Sequence, residues 1–216
     1  MQPGQLKFDA SVKSLAYTTA CSWEEFLAHD NDLRVEYLIR LGETRLAPDA
    51  QLFFNSYPDT LYFVALVAVD DPDSLAVLPV LARIVAAGPR FGLRIVRDDG
   101  ELALLDALLD DINLSEDLDD LDLPQLFVFD EEWQLQEQWG PRPQEAETRL
   151  EAWLEAHPEY EELDDDEDAY GQLVTVLMNE MRLWYNSGLT EVCVKEIRQL
   201  LAGLQNDDEA DDNDDN

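Results

Sequence analysis

The chain has 216 residues, 46% of them hydrophobic, with 5 Trp, 7 Tyr and 8 Phe. That is enough for one decorated domain and too much for a wholly disordered chain. Against 49 Asp and Glu stand only 14 Lys and Arg, a formal net charge of −35; a field of that sign repels phosphate and excludes nucleic acid and anionic membrane surfaces as partners.

The N-terminal extension, residues 1–59, reads helical. Ser22-Trp23-Glu24-Glu25 is a capping box, with Ser at the cap and Glu three residues later. A second helix is predicted over 31–41 with Gly42 as its stop signal, and Pro48 and Pro58 bracket a short irregular stretch. From residue 60 the period changes. Residues 61–69 are apolar on both faces, as in a strand covered by helices on each side. Asp70-Asp71-Pro72-Asp73-Ser74 makes a turn ready to cap a helix over 75–87, which ends at Gly88-Pro89. A strand at 91–96, a helix at 100–110 and an acidic loop follow. Leu123-Pro124 opens a strand running to residue 129, and 133–138 alternates as its antiparallel hairpin partner. A helix over 144–156 closes the unit.

Residues 60–156 therefore predict an α/β fold, a β-α-β-α-β-β-α core. Two parallel strands joined by a right-handed helical crossover, then a hairpin, give a four-stranded mixed sheet with helices on both faces. An acidic linker at 157–169 leads to a helical pair within 170–204, broken by Asn186-Ser187-Gly188. Leu173, Val176, Leu177, Met181 and Trp184 form an apolar stripe expected to pack on the core or a partner. Residues 205–216 are expected to be a disordered acidic tail.

The acid is partly local: residues 159–168 hold eight acids and 207–216 hold seven. The body still keeps 34 acids against 14 bases, and 98–141 contains no Lys or Arg. Adaptation to a salty cytoplasm is one reading, and an ordinary acidic protein with a solvated tail is the other. Asp164, Asp166 and Asp168 have the first spacings of a calcium loop. The turn glycine is Ala169, however, and the closing glutamate is Thr175, so the pattern is that of a solvated linker. Cys21 and Cys193 have no CxxC or metal-ligand spacing and are expected to be buried thiols. No metal or cofactor is expected. His29 and His157 stand alone, so no nucleophile–base arrangement can be argued. The first 20 residues carry Asp9, Ser and Thr where a secretory signal has its apolar core, and no apolar run is long enough to span a membrane. The expected address is cytoplasmic.

Pro79 lies five residues after Ser74 and eight after Asp71, inside a helix that follows a strand, and Pro124 opens the third strand. Pro79-Val80-Leu81, Trp139-Gly140-Pro141-Arg142-Pro143 and Trp184-Tyr185 complete the set. Over about 20–204 these features resemble bacterial thioredoxin-like proteins with extra helices at both termini. The resemblance implies a helix-kinking proline at those distances from the two cysteines of CxxC. It also implies a cis-proline at position 124, facing the active site. Its Trp-Cys positions are Asp70 and Asp71 here, and its second cysteine position is Ser74. Thiol–disulfide exchange needs a thiolate stabilised at a helix N-terminus; Asp71 can accept the same dipole but cannot form a mixed disulfide. No disulfide oxidoreductase activity is expected.

Two functional readings follow. In the first, the chain is a non-catalytic module binding a peptide or protein. The resemblance implies a groove beside Pro124 in which the preceding residue offers its backbone to an extended segment. Asp71, Pro72, Asp73, Ser74, Leu123 and Pro124 would line it, and the acidic exterior favours basic peptides or a cationic partner. In the second, the chain is an enzyme working through Cys193 or Cys21 brought near Pro124, or through Asp71 and Asp73 with a metal. A dimerisation module using the C-terminal helices is a third, weaker option. The plainer reading of Asp71 and Asp73 is a pair of helix N-terminal acids, and that of the turn at 139–143 is a rigid packed corner.

Overall fold

A computed structural model describes residues 16, 18–29, 33–98, 122–162 and 167–211. The expected helix at 100–110, the loop after it and the calcium-like acids Asp164 and Asp166 lie outside the described residues.

Helix α1 (Trp23–Ala28) starts at the predicted capping box. The Ser22 Oγ accepts from the Glu25 amide at 3.2 Å, and the Ser22 amide donates to Glu25 Oε2 at 2.8 Å. Helix α2 (Arg34–Glu43) starts later than the expected 31 and passes through Gly42, so that glycine is not a stop. The stretch expected to be irregular is helix α3 (Pro48–Asn55). Pro48 occupies the first helical turn, where a missing N–H leaves nothing unsatisfied, so the residue read as a break is a start.

Strand β1 (Leu61–Val67) pairs in parallel with β2 (Phe91–Arg97) and antiparallel with β3 (Gln125–Phe129). β3 in turn pairs antiparallel with β4 (Leu135–Trp139), giving the order β2-β1-β3-β4. The crossover helix α4 (Pro72–Ala87) carries Pro79 inside it. Cys21 forms an isolated antiparallel bridge to Ile95 on the outer edge of β2, an addition to the sheet that the sequence pattern did not show.

Helix α5 (Gln144–Ala156) has the predicted bounds. Short α6 (Glu159–Glu162) and α7 (Glu167–Trp184) occupy much of the expected linker. A π-turn at Tyr185–Leu189, where Gly188 takes φ 140°, falls at the predicted break and leads into α8 (Thr190–Asp211). That last helix enters the stretch expected to be a tail; Leu204, Gln205, Glu209 and Ala210 are good helix formers that continue it. The apolar stripe of α7 divides, with Leu177 and Met181 buried and Val176 exposed.

The two faces of the sheet bury separate clusters. Val64, Leu66, Phe127, Phe129 and Trp133 pack on one side with Ala16 and Ala20. Phe63, Ala65 and Val67 face α4, which is covered in turn by the terminal helices. Helix α4 is consequently buried from Asp73 to Leu81 without a break. That placement matters for function, because it takes the polar start of the helix out of water as well.

Candidate functional site

Helix α4 opens at Asp71, whose Oδ2 accepts from the Ser74 amide at 2.6 Å. This is an N-cap bond that satisfies one of the orphan donors of the first turn. Pro72 follows at the position where no donor is missed. Asp73 and Ser74 turn inward and are buried. A buried carboxylate needs a partner, and Asp73 finds one in Arg142, whose Nη2 lies 2.8 Å from its Oδ2. The same guanidinium reaches Glu147 Oε2 through Nη1 at 2.5 Å.

Arg142 belongs to the corner at 139–143, which is fastened on two sides. Trp139 Nε1 donates to Glu196 Oε2 at 3.0 Å, and the Gln144 amide donates to Glu196 Oε1 at 3.2 Å. Gly140 takes φ 140° and sits against Pro124, where a side chain would collide with the prolyl carbonyl oxygen. The Leu123–Pro124 and Gly140–Pro141 peptide bonds are both cis. The corner therefore links the two halves of the expected site, with Pro124 packed under Gly140 and Asp73 held by Arg142.

The electrostatics of this cluster are unbalanced. Burial pushes the Asp71 carboxyl up to about 7, the charge on Asp73 adds to that, and the Ser74 amide opposes it. Burial also raises Asp73, with Arg142 opposing. Asp73 Oδ1, Ser74 Oγ and Arg142 Nε are buried without hydrogen-bond partners among the described residues. Tyrosines from the added helices stand nearby. The Tyr37 hydroxyl of α2 donates to the Val69 carbonyl at 3.3 Å, and Tyr160 and Tyr170 meet hydroxyl to hydroxyl at 3.3 Å. Burial raises Tyr160, and the charges of Asp71 and Asp73 add to the effect.

On the strand side, Pro124 is buried and Leu123 is partly exposed. Gln125 Nε2 donates to the Asp122 carbonyl at 2.6 Å. The backbone N–H and C=O of Leu123 have no hydrogen-bond partner among the described residues.

The thiols are placed elsewhere. Cys193 on α8 is fully buried, and removal from water pushes its thiol up, with Glu196 adding to the shift. Such a thiol is inert. Cys21 lies on the β2 edge, separated from β3 by β1. Among the described residues neither cysteine is in a disulfide. Among the described residues no three His, Cys, Asp or Glu converge as a metal-ligating group. His157 Nδ1 meets the Trp153 carbonyl at 2.8 Å, and its ring stacks on that tryptophan.

The sequence reading missed Arg142 as a functional residue. A signal was available: Arg142 is the first base after the base-free stretch 98–141, and a cation so placed in so acidic a chain invites the question of which carboxylate it serves.

The thioredoxin family model matches residues 20–155. The chain belongs to the thioredoxin family. Its two cysteines, Cys21 and Cys193, are far apart in sequence and form no CxxC pair. No curated protein matches the chain. A crystal structure of a protein of unknown function from Pseudomonas aeruginosa is similar to it at 14% identity and a TM-score of 0.58, covering 88% of this chain and 97% of that one. An HIV epitope scaffold is similar with the same identity, coverage and TM-score. At that identity both likenesses concern the fold of this thioredoxin-family chain. No helix among its described residues is long and apolar enough to cross a membrane.

Proposed function

We propose that this thioredoxin-family protein is a redox-inactive binding module that takes an extended, basic peptide segment alongside Leu123. The observation that carries the reading is that the Leu123 backbone, beside Pro124, has no hydrogen-bond partner among the described residues. Backbone donors and acceptors at a partly buried position are nearly always paired, and an N–H and C=O offered by one residue suit the two bonds of an added strand. Charge supports a basic occupant. Asp71, Asp73 and the exposed Asp122 surround the slot, whereas Arg142 is already committed to Asp73 and Glu147. Nucleic acid and anionic membranes are disfavoured by the same field, and two cysteines without a disulfide among the described residues fit a reducing, cytoplasmic compartment.

The test is a ¹⁵N NMR titration of the full chain with an amidated peptide of alternating lysine and valine, and with its glutamate counterpart. The lysine peptide should shift the amides of Leu123, Gln125, Asp71, Asp73 and Ser74, and Leu123→Pro, which removes the donor, should abolish those shifts. A titration that leaves these amides unmoved, or that the glutamate peptide reproduces, overturns the reading.

A further inference from the structure

Helix α2 faces the wrong way for its composition. It exposes Val35, Leu38 and Ile39 and buries Arg40, which is 2% exposed. Arginine is almost never fully buried unless it is paired, and a buried cation without an anion costs stability. The groups that hold Arg40 are neutral. Its Nη2 donates to Thr190 Oγ1 at 2.6 Å, its Nη1 donates to Asn186 Oδ1 at 3.3 Å, and the guanidinium lies over the Tyr185 ring. Glu43 stands one bond further on, where Asn186 Nδ2 donates to its Oε2 at 2.9 Å. Among the described residues no carboxylate bonds Arg40 directly, and its Nε is buried without a hydrogen-bond partner. A chain with 49 acids has not spent one of them on this cation.

Arg40 also lines a cavity of about 230 Å³ between α2 and α7. Leu75 and Ala76 of α4, Ile39 of α2 and Met178 of α7 make that cavity mainly apolar, and Arg182 of α7 is the second cation of its lining. The two arginines share one end, because Arg182 binds Glu43, three residues beyond Arg40 on α2. Burial works against the charge on Arg40, and Arg182 adds to that while Glu43 opposes it. Arg182 gives its Nε and Nη2 to Glu43, and its Nη1 has no partner among the described residues. Leu33 and Thr175, also in the lining, stand seven positions before the two arginines, about 10 Å along the helices. The one acid of the lining, Glu36, is exposed and a turn away from Arg40.

An apolar chamber with a cationic end fits one class of occupant. We infer that this cavity binds a small apolar monocarboxylate, its carboxylate meeting Arg40 and Arg182 and its hydrocarbon part lying over Leu75, Ala76 and Met178. A cavity of about 150 Å³ takes benzene, so about 230 Å³ admits a single ring or a medium aliphatic chain. Guanidinium–carboxylate bonds are among the strong ones, and the charges of distant acids are screened beyond about 8 Å at physiological salt. An amine would set a third cation against the two arginines, and a neutral chain would bring no anion to Arg40. Neither Leu123 nor Asp71 nor Asp73 lines the cavity, so the inference does not rest on the peptide-binding reading.

The test uses the full chain labelled with methyl-¹³C methionine, at neutral pH and about 0.15 M salt, titrated separately with octanoate, octanol, octylamine and acetate. Octanoate should move the Met178 methyl signal saturably and bind at least about tenfold tighter than octanol, whereas octylamine and acetate should leave that signal in place. Arg40→Met should weaken octanoate binding by about tenfold or more. Ala76→Leu keeps both arginines and fills the chamber, so it should abolish the octanoate shift in a protein that circular dichroism shows to be folded. If Arg40→Met does not fold, Ala76→Leu and the octanoate–octanol comparison on the parent still decide. Absence of a saturable Met178 shift would overturn the inference, as would equal affinity for octanoate and octanol or octylamine, or octanoate binding unchanged in either variant.

Discussion

Replacing Asp71 by Asn should stabilise the protein at alkaline pH and do little at acid pH. The folded carboxyl is pushed up to about 7, whereas an unfolded Asp titrates near about 3.9. The proton that folded Asp71 holds therefore favours the fold in full below about pH 4, and that contribution is lost as pH rises through about 7. At about 1.4 kcal/mol per decade, the linkage disfavours folding by about 1.5 kcal/mol at about pH 5 and by about 4 kcal/mol at about pH 8. The amide of the Asp71→Asn variant would keep the cap, since Asn and Asp serve about equally at that position, and would forgo a charge–dipole attraction of about 0.3–1 kcal/mol. The variant should exceed the parent by about 2–4 kcal/mol at about pH 8 and come within about 1 kcal/mol of it at about pH 5. Urea unfolding of both proteins across that range, at fixed ionic strength, measures the difference directly; the remaining acids are common to both and cancel. A difference that stays flat with pH, or a parent that gains on the variant as pH rises, would refute the placement of Asp71 in a desolvated site beside Asp73.

Three further outcomes are expected. Insulin reduction with dithiothreitol should proceed at the buffer rate, and Cys193→Ser should change nothing; turnover that this substitution abolishes would revive a thiol enzyme. Arg142→Met should strand the buried Asp73 and lower stability by about 3–5 kcal/mol, with a smaller loss in acid, where Asp73 can protonate, as read by urea unfolding at two pH values. Raising potassium chloride from about 0.05 to about 2 M should raise the melting temperature, because screening of the −35 net charge shortens the Debye length from about 10 Å or more to about 3 Å or less; a flat or falling curve would make the acid a solubility feature.

What could be read in the sequence was what local chemistry decides. Ser22 and Glu25 are three residues apart, and their reciprocal bonds need nothing beyond the first turn of α1. The crossover helix and the hairpin followed from periodicity. Pro48 was misleading because the same residue that breaks a helix interior begins a helix well. The contacts that define the site were out of reach for a different reason. Arg142 meets Asp73 only once the corner at Gly140 has seated on Pro124. Arg40 is buried because its donors are taken by residues as far as 150 positions away. A helix that buries an arginine and exposes Val35, Leu38 and Ile39 reverses what its composition suggests, and only the tertiary partners of Arg40 decide which face is inside.

The start of α4 presents a particular kind of surface. A redox thioredoxin uses the start of this helix to hold a thiolate that comes and goes with each cycle. Here the start of α4 carries two carboxyl groups, and desolvation works against the charge on both. One guanidinium is supplied against them, but Arg142 divides its donors between Asp73 and Glu147, and Asp73 Oδ1 has no partner among the described residues. A sequence that merely abandoned redox chemistry could have placed apolar residues at 71 and 73 and avoided this desolvation, since replacing a buried ion pair by apolar groups is often stabilising. Under the proposed reading, carboxyl groups at 71 and 73 would add negative potential beside a Leu123 backbone that has no hydrogen-bond partner among the described residues. A lysine or arginine arriving with an added strand would relieve the Asp71–Asp73 repulsion while the strand's own backbone satisfies Leu123. The proposed occupant, a basic extended segment, would thus meet both deficits of the site.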